Sequence, residues 1–231
     1  MHKITYLVTV FNEIKTVKKA IIDVVDIKYP NKEIIIIDNG STDGSQDIIK
    51  KFKGLKKILR KKNLGYGKTI QQGIKLSTGD YIFIQNADLE YDHNRSIYMM
   101  NYAKKNKLDV VLGSRLKEIL KESGKLKIII KNPSYLATLT TTYLINKFYN
   151  KNFTDIIGGK LYRREAVKKI PINSYNQGFD FEFISRICKK KLKIGEIFIK
   201  YKPRENFKDK KIKFYHMINA VYEIFKVKIL K

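Results

Sequence analysis

"KEIIIIDNGSTDGSQDIIKKFKGL", residues 32–55, decides the fold. Four consecutive isoleucines bounded by Asp38-Asn39-Gly40 read as a short, β-branched, buried strand that ends in a turn. Gly44 to Leu55 then reads as a helix, with Ser45 and Asp47 available at its start. The unit is strand, turn, helix, and the same rhythm recurs on both sides. "ITYLVTV" (4–10) predicts a buried strand, and Ile14, Val17, Ile21, Val24 and Val25 recur at helical spacing over 13–27. "KKILRKKN" predicts a third strand and "YGKTIQQGIKLSTG" a third helix. "DYIFIQNAD" predicts a fourth strand, 94–107 a fourth helix, and "DVVLGSR" (109–115) a fifth strand. Alternation of this kind predicts an α/β fold, a mostly parallel sheet with helices on both faces.

The second half is less regular. Residues 116–152 predict a helical or mobile insertion. "TDIIGGKLYRREAV" (154–167) predicts a turn, a strand and a helix start, and "GFDFEFISRICKKKL" (178–192) a helix. "KIGEIFIKYKPR" (193–204) predicts a strand, and 211–230 a last helix. No internal repeat or low-complexity linker divides the chain. With 231 residues, it suits a single α/β domain with a sizeable core. We divide residues 1–231 into 1–115, 116–205 and a basic amphipathic end, 206–231. In that last part Phe214, Met217, Ile218, Val221, Phe225 and Ile229 fall near one helical face. Packing on the core or lying on a membrane surface would each explain that face.

Lys and Arg number 48 against 22 Asp and Glu, a formal charge of +26. Such a charge attracts phosphates on nucleotides, nucleic acid or anionic lipid. The lysines are spread along the chain, so a general compositional bias explains them equally well. The aromatic residues sit inside apolar elements and no RNA-binding motif is present, which argues against a nucleic-acid partner. A single cysteine, Cys188, excludes an intrachain disulfide and suits a reducing compartment. It reads as a core thiol. No secretory-signal pattern appears, and no uncharged run approaches the ~20 residues of a membrane span. The expectation is a cytoplasmic protein, with room for peripheral contact at the inner face of the membrane.

In parallel sheets ligands bind beyond the carboxyl ends of the strands. Three strand ends here carry polar groups: Asn12-Glu13, then Asp38 through Asp43, then Asn86, Asp88 and Glu90. Each has an ordinary alternative. Asn12 and Ser41 could be helix caps, Asp43-Gly44 a turn and Asp88 a loop acid. Their convergence on neighbouring strands is what favours a site. If residues 88–90 are extended, Asp88 and Glu90 share a face and reach one hard cation, which would bridge them to a diphosphate.

These stretches, in this order, resemble family 2 glycosyltransferases of the GT-A fold, which have a Rossmann-like nucleotide-binding half. They are most similar to the dolichyl- and polyprenyl-phosphate sugar synthases. "VTVFNE", "IIIIDNGSTDGS", "NLGYGKTIQQGIKLSTGDYIFIQNADLEYD", "GSR" (113–115), "GGKLYRREAV" and "GFDFEFISRICKKKLKIGEIFIKYKPR" carry the likeness, over about residues 1–225. The resemblance implies that Val10, Asn12, Glu13 and Asp38 line a nucleotide pocket. It implies that Asp88 and Glu90 hold Mg²⁺ or Mn²⁺, and that Arg115 faces an acceptor phosphate. Asp180 and Glu182 would lie on the acceptor side. Asn86 departs from the family, which has an acid there, and an amide offers a cation an oxygen but no charge. The 116–152 segment shows no counterpart of the family's acceptor-phosphate arginines. Lys125, Lys127 and Lys131 are the candidates, without arginine's bidentate fork.

The implied activity is an inverting, metal-dependent hexosyltransferase. It would move sugar from a nucleotide-diphosphate sugar to a polyprenyl phosphate, in cell-envelope glycan synthesis. A phosphate acceptor is already ionised; a hydroxyl acceptor would need a base, and Asp180 is the first candidate. The rivals are transfer to a saccharide or lipid-linked hydroxyl and, because of Asn86, a non-catalytic nucleotide-sugar-binding protein. A nucleotidyltransferase is disfavoured because no glycine-rich phosphate loop follows the first strand.

Overall fold

The strand β1 (Ile4–Val10) is buried at all seven positions and lies inside the sheet, with a parallel neighbour on each side. Both its faces are covered, which is why it alternates so little. The computed structural model describes residues 1–121, 135–176, 178–202 and 216–229. After β1 come α1 (Val17–Val25), β2 (Lys32–Asp38), α2 (Ser45–Lys50), β3 (Lys56–Leu59), α3 (Tyr66–Leu76), β4 (Tyr81–Asn86), α4 (Arg95–Lys105) and β5 (Val110–Ser114). Then come α5 (Tyr135–Tyr149), β6 (Gly159–Arg163), α6 (Arg164–Val167), α7 (Phe179–Lys189), β7 (Ile194–Phe198) and α8 (His216–Ile229).

The seven strands run in the order β3-β2-β1-β4-β6-β5-β7. All pairings are parallel except those of β6, which is antiparallel to β4 and to β5. Neighbours of β1 leave in opposite directions along the sheet, so a crevice opens at its carboxyl end, between the chains that leave β1 and β4. The register puts Val10 beside Asp38 and Thr9 beside Asn86. Three of the polar strand ends therefore do meet. On one face, Tyr6, Val8 and Ile36 pack with Ile21, Ile49 and Met99 of α1, α2 and α4. On the other, Leu7, Ile35 and Ile37 pack with Ile70 of α3, Phe179, Phe183 and Ile187 of α7, and Ile224 of α8.

Several elements are shorter than the sequence predicts. β3 and β7 have four and five residues. The chain leaves the sheet after Phe198, and Tyr201 instead forms an antiparallel bridge with Tyr91. In the 116–152 segment α5 is the main element; Lys125, Lys127 and Lys131 lie outside the described residues. Cys188 is buried, and burial pushes its thiol up to about 12, consistent with a core thiol and not a nucleophile.

The α8 helix departs from the face expected for it. Its buried side is Ala220, Glu223, Ile224 and Val227, packed toward α5 and α7. Met217 and Val221 are half-buried, and Phe214 lies outside the described residues. On the opposite side Ile218, Tyr222, Phe225 and Ile229 are 67%, 60%, 40% and 72% exposed. With about 100° per residue, those four fall within roughly a 60° arc. The helix is apolar on two sides, so packing and an exposed apolar stripe coexist. Among the described residues no helix is long and apolar enough to cross a membrane.

Glu33 at the start of β2 ties three elements together. Its carboxylate accepts hydrogen bonds from Thr5 Oγ1 at 2.7 Å, Thr78 N at 2.8 Å and Lys56 Nζ at 2.8 Å. Burial opposes its charge, but these donors outweigh burial and hold its pKa at about 2. A depressed carboxylate stabilises the fold above its unfolded pKa, and that contribution is lost as pH falls through the folded one. Glu33→Gln is expected to be less stable than wild type at pH 7, with the difference shrinking between about pH 4.5 and pH 2. Urea unfolding across that range checks it; a difference that is constant with pH would exclude the carboxylate as its source.

Candidate active site

At the first two strand ends, side chains are spent on holding loops. Asn12 adopts a left-handed φ of 51°, which Asn tolerates better than most residues. Its N–H donates to Ser41 Oγ at 2.8 Å, and its Oδ1 accepts from Thr42 N at 2.9 Å. Glu13 N donates to Ser45 Oγ at 3.0 Å. Val10 is buried and contributes its carbonyl, which accepts from Asn39 N at 2.8 Å. Asp38 is 0% exposed. Its Oδ1 accepts from Gly40 N at 3.0 Å, Ser41 N at 2.9 Å and Gln46 Nε2 at 2.6 Å, while Ser41 Oγ donates to Oδ2. The sequence placed Asp38 against the nucleotide; the structure commits its carboxylate to its own turn. Gly40, at φ 82°, lets that turn pass Lys62, whose carbonyl carbon would lie 2.4 Å from a Cβ.

At the third end, β4 stops at Asn86 and residues 88–90 are not extended. Leu89 has φ 60°, strained for a side chain of its size. Glu90 N folds back to donate to Asp88 Oδ1 at 3.2 Å. The shared-face argument from an extended strand is thereby corrected, and the two carboxylates have different surroundings. Glu90 accepts a hydrogen bond from the Tyr201 hydroxyl, whose pKa is raised by burial and then by the Glu90 charge. Asp88 instead acts on Tyr66 and Tyr91. Among the described residues no group of three or more His, Cys, Asp and Glu side chains could hold a metal. One or two carboxylates still fit a hard cation that takes its other ligands from a substrate diphosphate and water.

The acceptor side is built on β6 and α7. Asp180 lies in the first turn of α7. Its Oδ1 is 3.1 Å from Lys160 Nζ, an ion pair without hydrogen-bond geometry. Lys160 is itself buried in β6 and donates to the carbonyls of Ile157 and Gly158 at 3.0 and 3.2 Å. Glu182 has another task. It is 0% exposed and accepts from Asn173 N at 3.0 Å, Ser174 N at 2.6 Å and Arg186 Nε at 2.7 Å. It anchors the loop at Asn173 and Ser174. Arg115 is likewise committed. Its Nε and Nη2 donate to the two oxygens of Asp155 at 2.6 and 3.1 Å, and Nη2 also donates to Thr138 Oγ1 at 3.2 Å. Its guanidinium lies over Tyr135 and Tyr201, 5.7 and 5.2 Å from the ring centroids. It is a bidentate, buried strut between the end of β5 and the loop before β6.

Tyr66 is one of two residues that sequence analysis missed. Its ring packs edge-on to Phe179, and its hydroxyl donates to Asn86 Oδ1 at 3.2 Å. Burial, then the charges of Asp180 and Asp88, push this phenol well above its ordinary pKa. Tyr66 thereby links the end of β4 to the first turn of α7. Lys160 was missed as well, although a lysine between Gly159 and Leu161 in an apolar strand is a visible signal.

The chain belongs to glycosyl transferase family 2, whose model matches residues 5–171. A cholesterol galactosyltransferase of Borreliella burgdorferi is 30% identical over 207 residues, 84% of this chain and 57% of that protein. A poly-beta-1,6-N-acetyl-D-glucosamine synthase of Staphylococcus epidermidis is 34% identical over 131 residues, 54% of this chain and 32% of that protein. The chain thus spans 57% and 32% of the length of these two curated relatives. Among solved structures, Mycobacterium tuberculosis glucosyl-3-phosphoglycerate synthase aligns with a TM-score of 0.73 at 12% identity, over 100% of this chain and 82% of that one. A mannosyltransferase of Pyrobaculum calidifontis, solved with GDP-Man and Mn²⁺, aligns with a TM-score of 0.64 at 12% identity, over 89% and 59%. At that identity the likeness is one of fold, and the fold is GT-A.

Proposed function

We propose that this chain transfers a hexosyl group, with inversion, from a nucleotide-diphosphate sugar to a lipid acceptor at a membrane surface. The observation that carries the proposal is the tie between the end of β4 and the acceptor side: Lys160 stands opposite Ile84 in the β4–β6 pairing and ion-pairs with Asp180, while Tyr66 joins Asn86 to Phe179. Asp88 follows the strand end where a diphosphate would lie, and Asp180 belongs to the acceptor side. The sugar carbon would sit between them. A Mg²⁺ or Mn²⁺ ion held by Asp88, with Glu90 beside it, would neutralise charge on the departing diphosphate.

The residues of the chain support a lipid hydroxyl as acceptor. Asp180 would take the hydroxyl proton as the acceptor oxygen bonds to the anomeric carbon and the bond from that carbon to the diphosphate breaks. Lys160 pairs with one Asp180 oxygen and fixes its direction. A relative named for transfer to cholesterol is in keeping with this acceptor class. Polyprenyl phosphate is the second reading. The charge of +26 favours it, while the commitment of Arg115 to Asp155 counts against it. Membrane contact would come from α8. Its exposed stripe is flanked by Lys226 and Lys228, a pattern that suits an anionic lipid surface.

Incubation with Mn²⁺, a panel of nucleotide sugars, and either sterol or polyprenyl phosphate in vesicles tests the activity. Release of nucleoside diphosphate with formation of a glycolipid is expected. Asp88→Ala should lower turnover by at least about a hundredfold while keeping the circular dichroism of the fold, since Lewis-acid stabilisation is worth several kcal/mol. Near-normal turnover in that variant would exclude Asp88 from the reaction. For the membrane, co-sedimentation with anionic vesicles is expected to fall in Ile218→Glu and Phe225→Glu and to exceed that with neutral vesicles. Equal binding in all these cases would remove α8 from the proposal.

A further inference from the structure

Asn86 stands where the family has an acid, and its surroundings dictate what it can offer. It lies opposite Thr9 in the parallel pairing of β1 and β4. Its Oδ1 accepts two hydrogen bonds, from Thr9 Oγ1 at 2.7 Å and from Tyr66 Oη at 3.2 Å. A side-chain carbonyl oxygen has two lone pairs, and both are used. Tyr66 is a lasting donor, because burial and the nearby Asp180 and Asp88 charges keep its phenol protonated. Thr9 is 7% exposed, with little water to compete for its hydroxyl. No lone pair of Asn86 is left for a cation. What the side chain can present to a ligand is its amide nitrogen, which only donates.

We propose that Asn86 is a hydrogen-bond donor to an oxygen of the bound diphosphate-sugar and not a cation ligand, and that Thr9 and Tyr66 are positioning residues that hold its amide in that sense. This rests on the nucleotide-sugar reading above. The charge pattern agrees. An acid at 86 would place a further carboxylate two residues from Asp88, raising repulsion between them. An amide keeps the strand end polar without that charge. The position thereby changes from acceptor to donor, and the cation is left to Asp88 and Glu90.

Tyr66→Phe and Thr9→Val each delete one hydroxyl and keep the shape of the side chain. Either frees a lone pair on Oδ1 and lets the amide turn its oxygen toward the diphosphate. The measurement is free Mn²⁺ by electron paramagnetic resonance in a titration of the protein with UDP or GDP present, which requires no turnover. The two variants are expected to bind Mn²⁺ about two- to tenfold more tightly than wild type, the worth of one hydrogen-bonding interaction. Asn86→Asp is expected to bind it more tightly still. In parallel, calorimetry without metal should show all three losing affinity for the nucleoside diphosphate, since each removes or turns away the donor. A residue with only a structural role would weaken Mn²⁺ and diphosphate binding together. Unchanged or weaker Mn²⁺ binding in Tyr66→Phe and Thr9→Val, with near-ultraviolet circular dichroism like wild type, would overturn the assignment. If wild type and variants bind neither nucleoside diphosphate, the nucleotide-sugar reading itself fails, and the role of Asn86 falls with it.

Discussion

The buried carboxylate of Glu182 is the constraint on which the acceptor half depends. It is fully removed from water and accepts from two consecutive backbone amides, Asn173 and Ser174, and from Arg186. Burying a carboxylate costs several kcal/mol unless charge-assisted hydrogen bonds offset it, and here three donors do. Its place in the first turn of α7 adds the favourable end of the helix dipole. The loop it holds lies over the start of α3. Gly67 N donates to Tyr175 O at 2.9 Å, and a Cβ on Gly65 would meet that same carbonyl oxygen at 2.1 Å. Tyr66 sits between these two glycines. The carboxylate of Glu182 thus sets the height of the phenol that reaches Asn86.

The other half is organised by a different set of bonds. Asn12, Ser41, Thr42, Asp43 and Ser45 knit the ends of β1 and β2 through side-chain to backbone hydrogen bonds. The result is a fixed wall beside the crevice. Asp38 and Asp43 are bonded into that wall, while the whole chain carries +26. A field of that sign draws polyanions toward the protein, and the acids then define where a bound cation could sit. Attraction and positioning are in this way separated between the surface and the crevice.

The nucleotide-side fold was legible because its signals are local. The isoleucine run of β2, the apolar β1 and the polar residue after each strand reveal themselves within a few positions, and parallel pairing follows from the alternation with helices. The limits of the site were not local. Whether Arg115 points to a ligand or to Asp155 depends on a partner forty residues away in the loop before β6. Glu182 and Asp180 are two apart on one helix, yet one faces a backbone loop and the other Lys160. No periodicity separates those fates. Asp88 and Glu90 seemed to share a face because the spacing assumes an extended chain, and the left-handed Leu89 breaks that assumption. The α8 helix is apolar on two sides, so a single stripe read from sequence found only part of its exposed face.

The most direct measurement is a crystal structure of the protein grown with a nucleoside diphosphate and Mn²⁺. The diphosphate is expected beyond the carboxyl ends of β1 and β4, with Mn²⁺ bonded to Asp88 and to phosphate oxygens, and with Asn86 donating through its nitrogen. A nucleotide bound elsewhere on the molecule, or an ion in that crevice that leaves Asp88 out of its ligands, would contradict it.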